Sequence, residues 1–315
     1  MRIIVTGAAG LIASHLCDLF IESGIHVIGI DDLSFGNINN VNEKVEFHKI
    51  DLSKENSLND FNNIDILCHL ASYKKSFIAE TSSYDVMDIN FGMSKEVIRF
   101  CKNNNTKLLF TSTSDVYGNS NNFDENEQIT LGPPNVQRYS YALSKFHTEQ
   151  LILNEVDDKR ISGVIARIFG CASPRSSKTW SGGHLPMFID RALKNQDILI
   201  HGDGLQTRSM SHALDIANGL KSMSLKIDEL NGEIINIGTD EQMSVLESAR
   251  TILKQTNSQS KIVFQDADKV FKGYEEIRKR FANTTKAKNL INYKVNFKTI
   301  DVINEIINEF KKIDK

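Results

Sequence analysis

The 315-residue chain carries 37 Lys and Arg against 40 Asp and Glu, a formal net charge of −3, with 40% hydrophobic and 24% charged residues. This is ordinary globular composition, about two domains in length, which excludes disordered and fibrous architectures. The balance also lacks the basic stripe that binds nucleic acid and the polybasic patch that binds anionic lipid, so neither is an expected partner.

In chain order, Met1-Arg2 runs straight into Ile3-Ile4-Val5, so no cleaved leader is expected, and no apolar run reaches the length of a membrane span. Apolar runs at 2–5, 26–30, 45–50, 65–70, 107–111 and 161–169 read as strands, and amphipathic stretches at 11–23, 84–103 and 139–156 as helices. Several runs are nearly all apolar, as in parallel strands covered on both faces. Gly24 stands where a glycine would close the first helix. The alternation predicts an α/β fold built on a doubly wound parallel sheet. Past residue 169 the rhythm changes. An aperiodic stretch at 173–186, helices at 187–194, 213–224 and 245–254, and strands at 198–200 and 233–237 predict a smaller C-terminal α/β lobe. Residues 1–168 are expected to form the first domain and 169–315 mainly the second, with some segments returning to the sheet. Cys17, Cys68, Cys101 and Cys171 show no CxxC spacing, so the expectation is reduced thiols in a cytoplasmic protein, with neither a disulfide framework nor a metal site.

The strongest local signal is Thr6-Gly7-Ala8-Ala9-Gly10-Leu11-Ile12-Ala13, set between a strand and a helix. Gly7 permits a tight turn, Gly10 lets a pyrophosphate approach the backbone at the positive end of the helix, and Ala13 allows close helix–strand packing. Asp31 ends the second strand, 21 positions after Gly10. A carboxylate there accepts from ribose hydroxyls and repels a 2′-phosphate. The following Asp32-Leu33-Ser34-Phe35-Gly36 offers no arginine, so NAD is expected rather than NADP. The plainer alternative is a glycine-containing βα turn that Asp31 caps.

Tyr141 and Lys145 stand four residues apart on one helix face. An adjacent ammonium favours phenolate, which lets a tyrosine that ordinarily titrates near 10 act as a base closer to neutrality. Tyr139 is close by but lacks that spacing. The segment Thr111-Ser112-Thr113-Ser114-Asp115-Val116-Tyr117-Gly118 leaves an apolar strand where ligands of such sheets bind. Its bland alternative is a run of turn-forming hydroxyls.

With these motifs the chain resembles the extended short-chain dehydrogenase/reductases, specifically the nucleotide-sugar epimerases, dehydratases and decarboxylases. The resemblance runs nearly end to end. It takes in the glycine loop, Asp31-Asp32-Leu33-Ser34, Asp51-Leu52, His69-Leu70-Ala71-Ser72, Asn90, residues 111–118 and 141–145, and Ala166-Arg167-Ile168-Phe169. Later come His201-Gly202-Asp203-Gly204-Leu205-Gln206-Thr207-Arg208, Asn236-Ile237-Gly238 and Thr285-Lys286-Ala287-Lys288.

The resemblance implies a Rossmann domain holding NAD through Gly7, Gly10, Leu11 and Ile12, then Asp31, Asp32, Ser34 and Gly36. Asp51 and Leu52 are implied at the adenine, and Leu70, Ala71, Ser72 and Lys74 along the pyrophosphate and nicotinamide ribose. Asn90, Thr111, Tyr141, Lys145 and Ile168 complete that set. Thr113, Tyr141 and Lys145 are the implied catalytic triad, with Asp115 beside them. Thr113, Gly170, His201, Arg208 and Arg280 are implied on the substrate side, the arginines as forked clamps on a nucleotide-sugar diphosphate. A homodimer through the helices at 84–103 and 139–156 is implied as well.

Departures bear on the reaction. Gly170 replaces the family's usual Asn, His201 its usual Tyr, and Ala282-Asn283 its usual Pro-Asp. The shared first step in these enzymes is oxidation of the sugar at C4 to a ketone. Dehydratases pair Asp with Glu after the threonine, and Ser114-Asp115 leaves one of those partners out. Thr113-Ser114-Asp115 is a shorter version of the decarboxylases' Thr-Ser-Glu, but their substrate loop is not recognisable at 174–188. A 4-epimerase needs no further acid, so the expectation is 4-epimerisation of a UDP-sugar. The alternatives are a UDP-glucuronate-type decarboxylase, a 4-dehydrogenase that releases the ketone, and a non-catalytic NAD-binding regulator.

Overall fold

The structure is a computed structural model describing residues 1–73, 82–133, 136, 139–178, 183–266 and 277–313. Strands β1 (Arg2–Thr6), β2 (His26–Asp31), β3 (Glu46–Lys49), β4 (Ile66–His69), β5 (Lys107–Thr113) and β6 (Gly163–Ile168) form on the expected apolar runs. Helices α1 (Leu11–Glu22), α2 (Ser83–Asn104) and α3 (Tyr139–Asp157) alternate with them. Gly24 follows α1 at φ +73°, the left-handed turn expected there.

The C-terminal half contributes β7 (Cys171–Ala172), α4 (His184–Leu193), β8 (Ile198–His201), β9 (Thr207–Arg208) and β10 (Ser211–His212). It continues with α5 (Ala213–Leu225), β11 (Ile234–Ile237), β12 (Met243–Ser244) and α6 (Val245–Thr256). Then follow β13 (Ile262–Gln265), β14 (Lys279–Arg280), α7 (Thr285–Ile291) and α8 (Thr299–Ile313).

The main sheet has the order β11-β6-β5-β4-β1-β2-β3 with every pairing parallel. The order reverses between β1 and β4, which opens the crevice where doubly wound sheets take ligands. Residues of α1 and α5 share one apolar layer on the sheet, including Leu16, Phe20, Ile216 and Leu220. Val97, Phe100 and Ile152 of α2 and α3 build the layer on the opposite face. Strand β11 lies beside β6 with Ile235 and Ile237 fully buried, so a segment from deep in the C-terminal half forms a sheet edge.

The smaller lobe gathers α4, α6 and α8 around Phe188, Ile189, Ile252, Val302, Ile306 and Phe310. Short pairings of β8 with β13, and of β9 with β12 and β14, lie alongside. Helix α4 begins three residues before the sequence expectation, because Pro186 sits in its first turn, where a missing amide hydrogen costs nothing. Among the described residues no helix is long and apolar enough to cross a membrane.

Candidate active site

The glycine loop joins β1 to α1 in the sheet's central crevice. Gly7 has φ +71°, and a Cβ on it would stand 2.9 Å from the backbone of Ala71, so glycine is demanded twice over. Gly10 caps α1 with no side-chain hydrogen bond, leaving the first-turn amides, those of Leu11 and Ile12 included, as donors for an anion. Asp31 lies against this loop: one carboxylate oxygen accepts from the Ala9 amide at 3.1 Å and the other from the Leu33 amide at 2.8 Å. Burial raises its pKa above the usual carboxylate value, and those two amides oppose the rise. A Cβ on Gly36 would sit about as close as 2.9 Å to that carboxylate, so the glycine keeps the space beside it open. Asp32 accepts from the Ser34 amide at 2.8 Å, Asp51 from the Ser53 amide at 2.9 Å, and Leu52 is packed into the core. A glycine cradle, a bare helix N-terminus and a placed carboxylate fit a dinucleotide.

The loop after β4 passes directly over Gly7. The Thr6 hydroxyl accepts the amides of Leu70 and Ala71, and it contacts Nδ1 of His69 at 2.8 Å. Burial and then the nearby Lys145 ammonium push the His69 pKa down to about 3, so this ring is neutral. Asn90 spends its whole amide on protein, on the backbone of Tyr73 and on the Ser144 hydroxyl, and so fixes the far end of the same loop. Lys74 lies outside the described residues.

Helix α3 brings Tyr141 and Lys145 to the C-terminal end of β5. The buried Lys145 ammonium donates to the Thr111 carbonyl at 3.0 Å, lies 4.8 Å from the centre of the Phe110 ring and 6.0 Å from that of Tyr141. Thr113 ends the same strand opposite Ile168 of β6, and its hydroxyl accepts the Asp115 amide at 3.1 Å. Ser72 donates to the Tyr141 hydroxyl at 3.3 Å. Tyr139, by contrast, is buried with its ring where a Cβ on Gly132 would fall.

From the smaller lobe, buried Arg280 forms an ion pair with Asp115 and donates to the Gly118 carbonyl at 3.0 Å. Arg208 lies on the adjacent β9 and donates to the carbonyls of Thr207 and Ile277. Gly170 has a packing reason: a Cβ there would strike the Ser209 carbonyl at 2.5 Å. His201 ends β8, and its carbonyl accepts from Gln206 at 3.2 Å.

Two features were not singled out in the sequence. Glu149, a further turn along α3 from Lys145, makes a fully buried two-pronged ion pair with Arg167 of β6, at 3.0 and 2.7 Å. The signal was present, since Glu149 continues the spacing of Tyr141 and Lys145. His184 opens α4 with a buried Nε2 that has no hydrogen-bond partner among the described residues, and burial and then Arg208 push its pKa down to about 4.

The NAD dependent epimerase/dehydratase family matches residues 3–238. The UDP-N-acetyl-alpha-D-glucosaminuronate decarboxylase of Bacillus cytotoxicus is 30% identical over an alignment covering 99% of this chain and 98% of its own. A putative UDP-glucose 4-epimerase of Methanocaldococcus jannaschii is 31% identical, covering 88% and 90%. Among solved structures, the UDP-glucuronic acid 4-epimerase from Bacillus cereus in complex with UDP-glucuronic acid and NAD superposes with a TM-score of 0.85 at 27% identity, covering 99% and 100%. The chain belongs to the NAD-dependent epimerase/dehydratase family, enzymes that work with NAD.

Proposed function

We propose that the chain oxidises the C4 hydroxyl of a UDP-sugar and completes a 4-epimerisation, with residues 1–168 mainly holding the cofactor and 169–315 mainly the substrate. The observation that carries this reading is the convergence of Tyr141, Lys145 and Thr113 on the end of β5, beside a dinucleotide cradle. The Tyr141 oxygen takes the proton of the C4 hydroxyl, the Lys145 ammonium stabilises the phenolate, and the Thr113 hydroxyl hydrogen-bonds the oxygen that becomes the ketone. NAD, when bound, supplies the acceptor for the hydrogen leaving C4 and returns it later. Arg208 and Arg280 hold the diphosphate, which leaves the sugar free to turn its other face. Epimerisation is supported by Asp115 being engaged with Arg280 rather than poised as a lone acid.

A second reading, decarboxylation of a UDP-uronic acid, is favoured by the full-length likeness to the Bacillus cytotoxicus decarboxylase and by the presence of any acid beside Thr113. The two separate in one assay. UDP-glucose, UDP-N-acetylglucosamine and UDP-glucuronate are offered singly, and proton NMR follows C4 configuration and loss of C6. Inversion without carbon dioxide is the expected result. Carbon dioxide from the uronic acid, with no inversion in any neutral sugar, would replace the first reading by the second. Accumulating NADH with a released ketone would replace both.

A further inference from the structure

The segment between Leu70 and Tyr73 is clamped at both ends. On one side the Thr6 hydroxyl accepts the Leu70 and Ala71 amides, each at 3.1 Å. With its lone pairs so used, its own proton goes to Nδ1 of His69. On the other side Asn90 accepts the Tyr73 amide and donates to the Tyr73 carbonyl, both at 2.8 Å. The same amide reaches the Ser144 hydroxyl at 3.2 Å, which donates to the Tyr141 carbonyl at 2.8 Å. One buried side chain therefore ties the loop to the first turns of α3. Ser72 is the residue between the clamps, and its hydroxyl faces the Tyr141 oxygen at 3.3 Å.

We propose that Ser72 is a hydrogen-bond donor to the Tyr141 oxygen, one that favours the deprotonated form and so sets the pH at which the base works. The proposal rests on the reading of Tyr141 as the base. Two neutral hydroxyls can share a proton in either direction, whereas a phenolate only accepts, so ionisation obliges Ser72 to donate. A hydrogen bond to a charged acceptor is roughly twice as strong as its neutral counterpart, and the difference favours ionisation. Ser72 acts separately from Lys145, which supplies charge from a position held by Thr111. No proton leaves Ser72. The proton taken from the sugar hydroxyl goes to the Tyr141 oxygen, and the Ser72 bond then returns to the neutral kind.

The test compares the full chain with Ser72→Ala and Ser72→Thr. In kcat against pH, Ser72→Ala should move the midpoint of the acid limb upward by about one unit, with turnover recovering at higher pH, and Ser72→Thr should restore it. A second measurement needs no turnover. Tyrosinate absorbance is titrated for each protein and for the same protein carrying Tyr141→Phe, and the difference isolates ionisation of Tyr141. Superimposable titrations for wild type and Ser72→Ala would overturn the proposal. So would a uniform fall in kcat with an unmoved midpoint, the mark of a merely structural serine. Full turnover in Tyr141→Phe would instead overturn the base reading, a result distinct from an inactive Tyr141→Phe with an unmoved Ser72→Ala midpoint.

Discussion

In the proposed reading a single carboxylate, that of Asp31, selects the cofactor. Asp31 is held by two backbone amides with Gly36 leaving room beside it, so a ribose hydroxyl placed there would meet an acceptor and a 2′-phosphate a charge of its own sign. Asp31→Ala should therefore erode the preference for NAD, measured as the ratio of dissociation constants for NAD and NADP; equal wild-type affinities would contradict this assignment. At the proposed base, Tyr141→Phe should lower kcat by a factor of about 10²–10⁴, the usual loss for a general base. Tyr139→Phe should cost far less, because that ring is buried against Gly132. If Tyr139→Phe proves the more damaging, the phenols have been assigned the wrong way round. His69 gives a pH prediction. Its folded pKa of about 3 lies below the ordinary 6.5, so the unfolded chain takes up the proton first as pH falls. The stability it contributes is complete above about pH 6.5 and is lost progressively toward pH 3. His69→Gln keeps an acceptor for Thr6 but cannot titrate, so its Tm should fall less between about pH 7 and about pH 5 than that of the wild type.

Between elements, the Glu149–Arg167 pair pins α3 to β6 one turn beyond Lys145. Removing one partner strands a buried charge, so Arg167→Met alone should cost about 3–5 kcal/mol in denaturant unfolding. The combined Glu149→Leu, Arg167→Met change should cost much less, since the apolar pair leaves no charge behind. Equal losses in single and double variants would show that packing, not charge, holds the helix. Such pairings mark the limit of what the sequence discloses. The glycine loop, Asp31 and the Tyr141–Lys145 spacing are local patterns, and strands β1, β2, β4, β5 and β6 are buried apolar runs, so both can be read directly. The ion pair of Asp115 with Arg280 joins residues 165 apart, and no local pattern encodes it. Strand β13 escaped because it is only half-buried, with Phe264 exposed, and β7, β9, β10, β12 and β14 are two residues each, too short for any period.

At the scale of the whole molecule, α2 presents Tyr84, Met87 and Phe91 to solvent at helical spacing, with Phe91 beside His147 of α3 at 4.9 Å between ring centres. An exposed apolar stripe on α2, meeting an aromatic ring of α3, suits a two-fold contact with a second copy. We expect a dimer in sedimentation at micromolar concentration and a monomer for Met87→Glu combined with Phe91→Glu; a monomeric wild type would rule the contact out. The place of β11 carries a consequence for synthesis. A ribosome delivers the glycine loop, β5 and α3 first, yet the edge strand beside β6 spans Ile234–Ile237. Until that strand has cleared the exit tunnel, β6 presents an open row of backbone donors and acceptors to any neighbouring nascent chain. The stretch from 169 to 233, which carries α4 and β8 of the smaller lobe, must be paid out as a loop before the larger sheet can close, so the sheet cannot be completed by residues 1–168 alone.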